Sequence, residues 1–242
     1  MPSTALHSAR WRAAWDEVMT GFVPGLSSLE EAWSAAAEAV LGRAPRRVLD
    51  LGGGPGVVAS RMASRWPSAR VTMIDLDPVL LALARSCPSL TVLDADLGDE
   101  AWTLSAGDGY DLVTAVMTVH YLAPGRVRAL YRRCHRVMSP GGLLVVADVM
   151  PDGGLPSVMA ALNPAPGEAA AELAWAQWWG EVASSSDLRP LMAARAEVFG
   201  GRAPANFAGE AGWHVAAARS AGFREAGVLW RDGRHAALAA LS

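Results

Sequence analysis

The amino-acid sequence predicts an α/β protein with a doubly wound, mostly parallel sheet of seven strands that closes with an antiparallel hairpin. Between residues 46 and 149, short and almost continuously apolar runs alternate with stretches of helical spacing. Strands of that kind are buried on both faces, which requires helices on either side of a parallel sheet. The last two runs, Glu225–Trp230 and His235–Leu241, are joined by only four residues, which is too short for a parallel crossover.

The strands and helices of the core follow one another in the order that this fold needs. Pro78 occupies the first turn of one helix, and Ser139–Gly142 ends the helix before the fifth strand. The predicted strands are Val48–Leu51, Val71–Ile74, Leu90–Leu93, Tyr110–Met117, Leu143–Ala147, Glu225–Trp230 and His235–Leu241. The helices predicted between them are Val57–Trp66, Pro78–Ser86 and Arg126–Met138.

Further helical segments flank this core. Residues 1–20 have amphipathic spacing, and Ser28 with Glu31 matches a capping box that would start a second helix. After Met150, a segment rich in proline and glycine precedes helical stretches predicted at 167–199 and 210–221. We therefore expect one domain over residues 1–242. Its parts are an N-terminal helical cap (1–42), a core (43–149 and 204–242) and a helical lid inserted at 150–203.

Composition excludes several classes of function. The chain of 242 residues is 52% hydrophobic, has a net charge of −3 and contains arginine but no lysine, which disfavours a nucleic-acid groove. Cys87 and Cys134 form no CxxC pair, so we expect neither a zinc site nor a disulfide framework, and no metal. Residues 1–12 lack an uninterrupted apolar run, so we expect no signal peptide, no membrane span and a cytoplasmic location.

A glycine-dense loop follows the first strand, where Asp50-Leu51 leads into Gly52-Gly53-Gly54-Pro55-Gly56. Glycine accepts positive φ and has no Cβ, so a ligand can lie against the bare backbone of such a loop. The helix that follows would direct free N–H groups and its positive dipole end at that ligand. This stretch predicts a nucleotide-type cofactor site.

Aspartates recur at the ends of three consecutive predicted strands, at Asp50, Asp75 and Asp96. In a doubly wound sheet, ligands bind beyond the carboxyl ends of the strands. Asp75 lies 19 positions after Gly56, an offset at which a carboxylate can accept hydrogen bonds from a ribose diol. An aspartate at a strand end often only caps a turn, but three in succession favour a nucleotide site.

A dinucleotide-binding oxidoreductase is the first alternative, because Gly54, Gly56 and Ala59 match the G-x-G-x-x-G/A pattern. Three features argue against it. The acid at Asp50 is not part of that pattern, a short-chain dehydrogenase needs a Tyr-x-x-x-Lys pair that this chain cannot supply, and the sheet closes with a hairpin. An NAD(P)-dependent oxidoreductase therefore stays open as the less favoured reading.

Asp50–Gly56 resembles motif I (D/E-x-G-x-G-x-G) of the class I S-adenosylmethionine-dependent methyltransferases, whose fold is Rossmann-like. The resemblance extends over about Arg46–Asp148. It continues through four segments, the last leading into the fifth strand: Ile74–Pro78, Ala95–Leu97, Tyr110–Val113 with His120–Leu122, and Ser139–Gly142.

The resemblance implies S-adenosyl-L-methionine as cofactor, S-adenosyl-L-homocysteine as product, and a set of cofactor contacts. Backbone of the glycine loop would pass the methionine moiety, Asp50 would hold its amino group, and Met117 would lie behind its chain. Ribose would bind Asp75, and adenine would contact Leu76, Asp96 and Leu97. The implied cofactor residues are Asp50, Gly52, Gly53, Gly54, Gly56, Asp75, Leu76, Asp96, Leu97 and Met117.

The acceptor side carries fewer signals. A sulfonium methyl group is already activated, so its transfer needs alignment and exclusion of water, and a base only if the acceptor arrives protonated. His120, just past the fourth strand, is the candidate base, and a ring packed in a turn and hydrogen-bonded to backbone is the alternative. Aromatic rings recur in the helical segments. The predicted acceptor-binding residues are Trp15, Tyr121, Asp148, Trp175, Trp178 and Trp179, and for each tryptophan core packing is the alternative.

The sequence thus predicts a methyltransferase that acts on a small molecule, with O- or N-methylation favoured over C-methylation. A protein that binds the cofactor without transferring its methyl group, as a regulator or partner subunit, is the alternative within the same fold. No motif indicates the acceptor, the methylated atom or the oligomeric state.

Overall fold

The structure, a computed structural model, describes residues 2–165, 167–202 and 205–242. The strands are β1 Arg47–Leu51, β2 Arg70–Asp75, β3 Leu90–Asp94, β4 Tyr110–Val116, β5 Met138–Val149, β6 Glu225–Asp232 and β7 His235–Leu241. The helices are α1 Pro2–Phe22, α2 Leu26–Leu41, α3 Val57–Arg65, α4 Pro78–Ala84, α5 Trp102–Ala106, α6 Pro124–Val137, α7 Pro156–Ala161, α8 Glu168–Ser184, α9 Arg189–Phe199 and α10 Ala211–Ser220, with a 3₁₀ turn at Val119–Tyr121. The predicted boundary between lid and core, at residues 203 and 204, lies outside the described residues.

The sheet has the order β3-β2-β1-β4-β5-β7-β6. Strands β1 to β5 pair in parallel, and β7 lies antiparallel between β5 and β6. This arrangement confirms the predicted doubly wound sheet with its C-terminal hairpin. The chain order reverses between β1 and β4, and in such sheets a crevice opens there, beyond the carboxyl ends of the two strands.

Alternate side chains of the strands face two hydrophobic cores. On one face, Val48 and Val145 pack against α2 and α3, and on the other, Leu49 and Leu144 pack against α6 and α10. All four of these strand side chains are fully buried. Burial on both faces explains why the strands read as continuous apolar runs.

Helix α2 is part of a core layer rather than of a cap. Its buried residues Leu29 and Trp33 share a cluster with Val48 on β1. The predicted capping box was wrong, because α2 begins at Leu26, one turn earlier, with Gly25 at its N-cap. Ser28 lies inside the first turn, where its hydroxyl donates to the carbonyl of Gly25 and accepts from the indole of Trp230.

Strand β5 is longer than the sequence predicts. It runs from Met138 to Val149, although Ser139–Gly142 was expected to separate helix from strand. Met138 pairs with Tyr110 and Leu143 pairs with Leu112, so the four residues between them form an irregularity in the ladder. The amide of Gly142 donates to the hydroxyl of Ser242, so this segment is held by the end of the described chain.

Helices α1, α8 and α9 pack together on α4, next to the carboxyl ends of the first strands. Arg61 on α3 holds α1 and α2 in place, since its guanidinium donates to Asp16 at 2.8 Å and to Glu30 at 2.5 Å. Among the described residues, no helix has the length and apolar character that crossing a membrane requires.

Candidate functional site

The glycine loop after β1 follows a path that only glycine accommodates. Gly52, Gly54 and Gly56 have φ values of +67°, +57° and +78°, in the left-handed region. A Cβ on Gly52 would lie 2.4 Å from the side chain of Thr118, which follows β4. The hydroxyl of Thr118 lies 3.2 Å from the carbonyl oxygen of Leu51, so β4 and the loop are tightly joined.

Asp50 lies directly beneath this loop and is 2% exposed. Its Oδ1 accepts a hydrogen bond of 2.8 Å from the hydroxyl of Thr114 on β4. Its Oδ2 is buried without a partner, and a Cβ on Gly53 would lie 2.8 Å from it. Burial raises the pKa of Asp50 to about 7, against the opposing effect of the Thr114 hydrogen bond. An unpaired buried carboxylate oxygen is costly, and a cation would relieve that cost.

Asp75, at the end of β2, is engaged by three backbone amides. Oδ2 accepts from Gly54 at 2.7 Å, and Oδ1 accepts from Leu76 at 2.7 Å and from Asp77 at 2.9 Å. Burial raises the pKa of Asp75, although these amides stabilise the carboxylate. A carboxylate offers about four acceptor positions, so capacity remains for one further donor while all three amides stay bound. The side chain of Leu76, the next residue, is half-buried.

Asp96, after β3, is paired with an arginine that the sequence analysis did not connect with it. Its Oδ1 accepts from the amide of Gly98 at 2.8 Å, and its Oδ2 lies 2.9 Å from the guanidinium of Arg202. Burial alone would raise the pKa of Asp96, but the Arg202 and Gly98 hydrogen bonds outweigh burial and lower it. The neighbouring Leu97 is buried.

Met117, at the end of β4, has a left-handed backbone with φ of +50°. Such a conformation is uncommon for residues other than glycine and often marks functional turns. The amide of Met117 donates to the carbonyl of Ala147 on β5 at 2.8 Å. This turn directs the following residues, Thr118 to Tyr121, across the end of the sheet.

His120 and Asp148 form a hydrogen-bonded pair between the ends of β4 and β5. Asp148 is 2% exposed, and its Oδ1 lies 2.8 Å from Nδ1 of His120. Its Oδ2 also accepts from the backbone amide of His120 at 3.2 Å. A carboxylate oxygen accepts, so this contact fits the tautomer in which Nδ1 donates, and in that tautomer Nε2 is the nitrogen that can act as a base. The sequence analysis proposed both residues but did not pair them.

Tyr121 lies beside this pair, with its ring centroid 4.0 Å from that of His120. Its side chain is 66% exposed. The surrounding protein and the charge of Asp148 raise the pKa of Tyr121, whereas the charge of Arg195 opposes that rise. The ring therefore lies near charged groups from β5 and α9.

The four predicted tryptophans have different surroundings. Trp15 of α1 lies over the glycine loop, because a Cβ on Gly54 would be 3.7 Å from its indole. Trp179 lies against the guanidinium of Arg195, 4.0 Å from its ring centroid. Trp178 is 3% exposed, and its indole N–H donates to the carbonyl of Trp11, so it packs α8 onto α1. Trp175 is 37% exposed and packs edge-on against Trp179, 6.2 Å between ring centroids.

His214 is separate from this site. It is buried on α10 and its Nδ1 forms a hydrogen bond of 2.6 Å with the hydroxyl of Tyr131. Burial lowers the pKa of His214 to about 4, so the ring is neutral near pH 7. Its burial and its bond to Tyr131 give His214 a packing role.

Four residues of the site carried no recognisable signal in the sequence. Their contacts join segments far apart in the chain, so only the folded arrangement reveals them. These residues are Thr114, Thr118, Arg195 and Arg202. Among residues 2–165, 167–202 and 205–242, no group of three or more His, Cys, Asp or Glu side chains is placed to bind a metal ion together.

Comparison with known proteins finds that the core of the chain is similar to methyltransferases. A family model described as a methyltransferase domain matches residues 48–142. The trans-aconitate 2-methyltransferase of Paracidovorax citrulli is 34% identical over 128 residues, which are 51% of this chain and 47% of that protein. The trans-aconitate 2-methyltransferase of Streptomyces avermitilis is 37% identical over 108 residues, 43% of this chain and 39% of that protein. The matched part of this chain thus spans less than half of either relative.

A solved structure extends the similarity of fold to the rest of the chain. An O-methyltransferase family protein from Burkholderia thailandensis superposes with a TM-score of 0.61 and 17% identity. The superposition covers 99% of this chain and 62% of that chain. At this identity the similarity concerns the fold alone.

Proposed function

We propose that this chain is a class I S-adenosylmethionine-dependent methyltransferase, as the match of residues 48–142 to a methyltransferase domain supports, and that it transfers a methyl group from S-adenosylmethionine to a small-molecule acceptor. One observation carries the proposal. Thr118 joins the glycine loop to the β4 turn, and His120, two residues further on, is paired with Asp148. A cofactor loop and an oriented base therefore lie at adjacent strand ends, which is the arrangement that group transfer to a protonated acceptor requires.

The residues at the loop suit a ligand with an amino-acid end and an adenosyl end. The unpartnered Oδ2 of Asp50 beneath Gly53 suits an ammonium group, whose charge would offset the burial of the carboxylate. The remaining acceptor capacity of Asp75 suits a ribose hydroxyl, and Leu76 and Leu97 offer apolar surface to a purine. Met117 is assigned to the methionine chain.

When bound, S-adenosylmethionine supplies a methyl group on a positively charged sulfur. The protein then has to align the acceptor, exclude water and remove a proton where the acceptor carries one. We assign the removal of the acceptor's proton to Nε2 of His120. Asp148 fixes the tautomer of that ring and stabilises the imidazolium that forms. This assignment favours an acceptor with an O–H or N–H group.

The acceptor is proposed to lie among Trp15, Trp179, Tyr121 and the His120–Asp148 pair. Trp178 is assigned to packing, because its burial leaves it almost no surface for a ligand. Trp175 is assigned to the edge of the same pocket through its contact with Trp179. We propose that α1, α8 and α9 together roof the pocket, with residues 150–203 as the lid.

Calorimetric titration with S-adenosylhomocysteine tests the cofactor assignment. We expect binding by the unmodified protein and about 10- to 100-fold weaker binding by Asp75→Asn, because a charged acceptor is lost from the site. Asp94→Asn is the matched control, since Asp94 is an exposed acid in register with Asp75 on β3. Tighter binding of NADH than of S-adenosylhomocysteine would overturn the assignment in favour of an oxidoreductase.

A mass-spectrometric screen tests the transfer itself. Pools of small metabolites are incubated with the protein and S-adenosylmethionine, and we expect at least one acceptor to gain the mass of a methyl group. Tight cofactor binding with no methylated product from any pool would contradict catalysis and favour a regulator or partner subunit.

A further inference from the structure

Two arginines, one within α9 and one just beyond its end, pair with the acids that follow β2 and β3. The Nε of Arg195 donates to Oδ2 of Asp77 at 2.5 Å, and the guanidinium of Arg202 lies 2.9 Å from Oδ2 of Asp96. Asp77 immediately follows the ribose segment and caps α4. Its Oδ1 accepts a hydrogen bond of 2.9 Å from the backbone amide of Val79. The two ion pairs therefore tie α9 across the adenosyl side of the proposed cofactor site.

Apart from these ion pairs, α9 is held by partly buried contacts with α4 and α8. None of its side chains is fully buried. Leu191 and Met192 are only partly buried where they pack against the cluster that contains Val79 and Leu80. A segment with few buried apolar contacts opens at low cost in free energy, so ion pairs can decide whether it lies open or closed.

Phe199, the last residue of α9, lies between the two arginines. The guanidinium of Arg195 is 5.0 Å from its ring centroid, and that of Arg202 is 6.0 Å away. Arg195 also lies over Trp179 of α8. The arginines are thus held by aromatic faces as well as by carboxylates, and together they form a continuous contact from α8 to the end of β3.

Arg202 pairs with the carboxylate of Asp96, which is also the residue assigned to bind adenine. Asp96 Oδ1 already accepts from Gly98, and Oδ2 faces Arg202. Arg126 also lies near Asp96 and adds to the positive charge around it. The guanidinium thus occupies one acceptor position of Oδ2, and an adenine amino group that binds in that position displaces Arg202.

We propose that Arg202, assisted by Arg195, latches α9 over the empty adenosyl pocket, so that cofactor entry exchanges an arginine–aspartate pair for the adenine contact. The proposal rests on the proposed function, since it takes Asp96 as the adenine residue. The side chains of Arg202 and Asp96 are 41% and 27% exposed, and pairs exposed to this degree have modest strength. The latch therefore slows entry without preventing it.

Stopped-flow tryptophan fluorescence with S-adenosylhomocysteine measures entry directly, because Trp15 and Trp179 border the pocket. We expect Arg202→Gln to raise the association rate about two- to fivefold. Arg195→Gln acts in the same direction, and the double variant gives the largest increase. Arg189→Gln is the matched control, since it removes the same charge from α9, and in the described structure its side chain has no ion pair or hydrogen bond.

Hydrogen–deuterium exchange of the ligand-free protein gives a readout independent of the cofactor. We expect faster exchange of α9 amides in Arg202→Gln than in Arg189→Gln. Equal association rates and equal exchange in these two variants would overturn the latch while leaving the cofactor assignment intact. If neither the parent protein nor any variant binds S-adenosylhomocysteine, the proposed function fails. The exchange comparison then still decides whether the ion pairs hold α9.

Discussion

The two halves of the site are built differently. At the ends of β2 and β3, most donors to Asp75 and Asp96 are amides one or two residues further along the chain, at Leu76, Asp77 and Gly98. Gly54 and Arg202 add one donor each from more distant segments. At the ends of β4 and β5, the His120–Asp148 pair joins residues 28 positions apart. The aromatic roof depends on still more distant contacts, such as that between the α8 and α1 helices.

This difference suggests that the two halves determine different properties, one cofactor binding and the other the choice of acceptor. The cofactor half consists largely of short turns, to which a few distant residues such as Thr114 and Thr118 add hydrogen bonds. The same short motif can therefore serve many acceptors. The acceptor half depends on how helices α1, α8 and α9 pack, and many residues of these helices are exposed. Changes in the acceptor half are therefore expected to alter transfer while leaving cofactor binding intact.

The largest expected effect comes from the acceptor half. His120→Gln removes the base and should lower kcat about 10²- to 10⁴-fold with an acceptor found by the screen, because general-base catalysis contributes about that much. Affinity for S-adenosylhomocysteine should change little. Asp148→Asn retains an acceptor for Nδ1 but loses the charge that stabilises the imidazolium, so its kcat should fall between those of the parent and His120→Gln.

Steady-state kinetics and calorimetry on the same preparations check this separation. His135→Gln is the control, because it makes the same substitution on α6, where the ring contacts Phe223. A His120→Gln variant that transfers methyl groups at the parent rate would contradict the assignment of a base and leave alignment as the only contribution of the protein.

The sequence was sufficient for the fold and for the cofactor half. Hydrophobic runs located the seven strands, and the four-residue link between the last two predicted their hairpin, both of which the sheet confirms. The glycine loop and the three acids lie at the ends of β1, β2 and β3 as expected. Their assigned contacts with the cofactor remain predictions.

Contacts between segments far apart in the chain were not accessible from the sequence in either half of the site. A helical pattern gives no sign that Arg195 reaches Asp77, 118 positions away, or that Arg202 reaches Asp96. For the same reason, α2 was taken for a cap although Leu29 and Trp33 pack against the sheet. The tryptophans show the limit most clearly, since one pattern contains both Trp178, which is buried, and Trp175, which is exposed.

An intermediate effect is expected from the joint between the two halves, where Gly52 meets Thr118. Gly52→Ala combines a left-handed φ, at about 1–2 kcal/mol, with a clash against Thr118, at about 1–3 kcal/mol. Gly42→Ala is the matched control, because Gly42 has φ of +64° but nothing within 4 Å of the added Cβ. Urea unfolding should show a larger loss of stability for Gly52→Ala, and equal losses would exclude a role for the contact with Thr118.

The smallest expected effect concerns Asp50 and the pH dependence of cofactor binding. Its raised pKa, about 7, means that the carboxylate becomes protonated as pH falls through neutrality. The neutral acid no longer attracts an ammonium group, so affinity for S-adenosylhomocysteine should be about tenfold weaker at pH 6 than at pH 8.

Asp50→Asn isolates this titration from that of Asp75, whose pKa is also raised. The variant cannot ionise at this position, so its affinity should resemble that of the protonated parent and vary little between pH 6 and pH 8. Calorimetry at several pH values measures the slope. A parent-like slope in Asp50→Asn would assign the titration to Asp75 and place the ammonium group of the cofactor away from Asp50. In that case the orphaned oxygen beneath Gly53 would be a cost of the loop that cofactor binding does not offset.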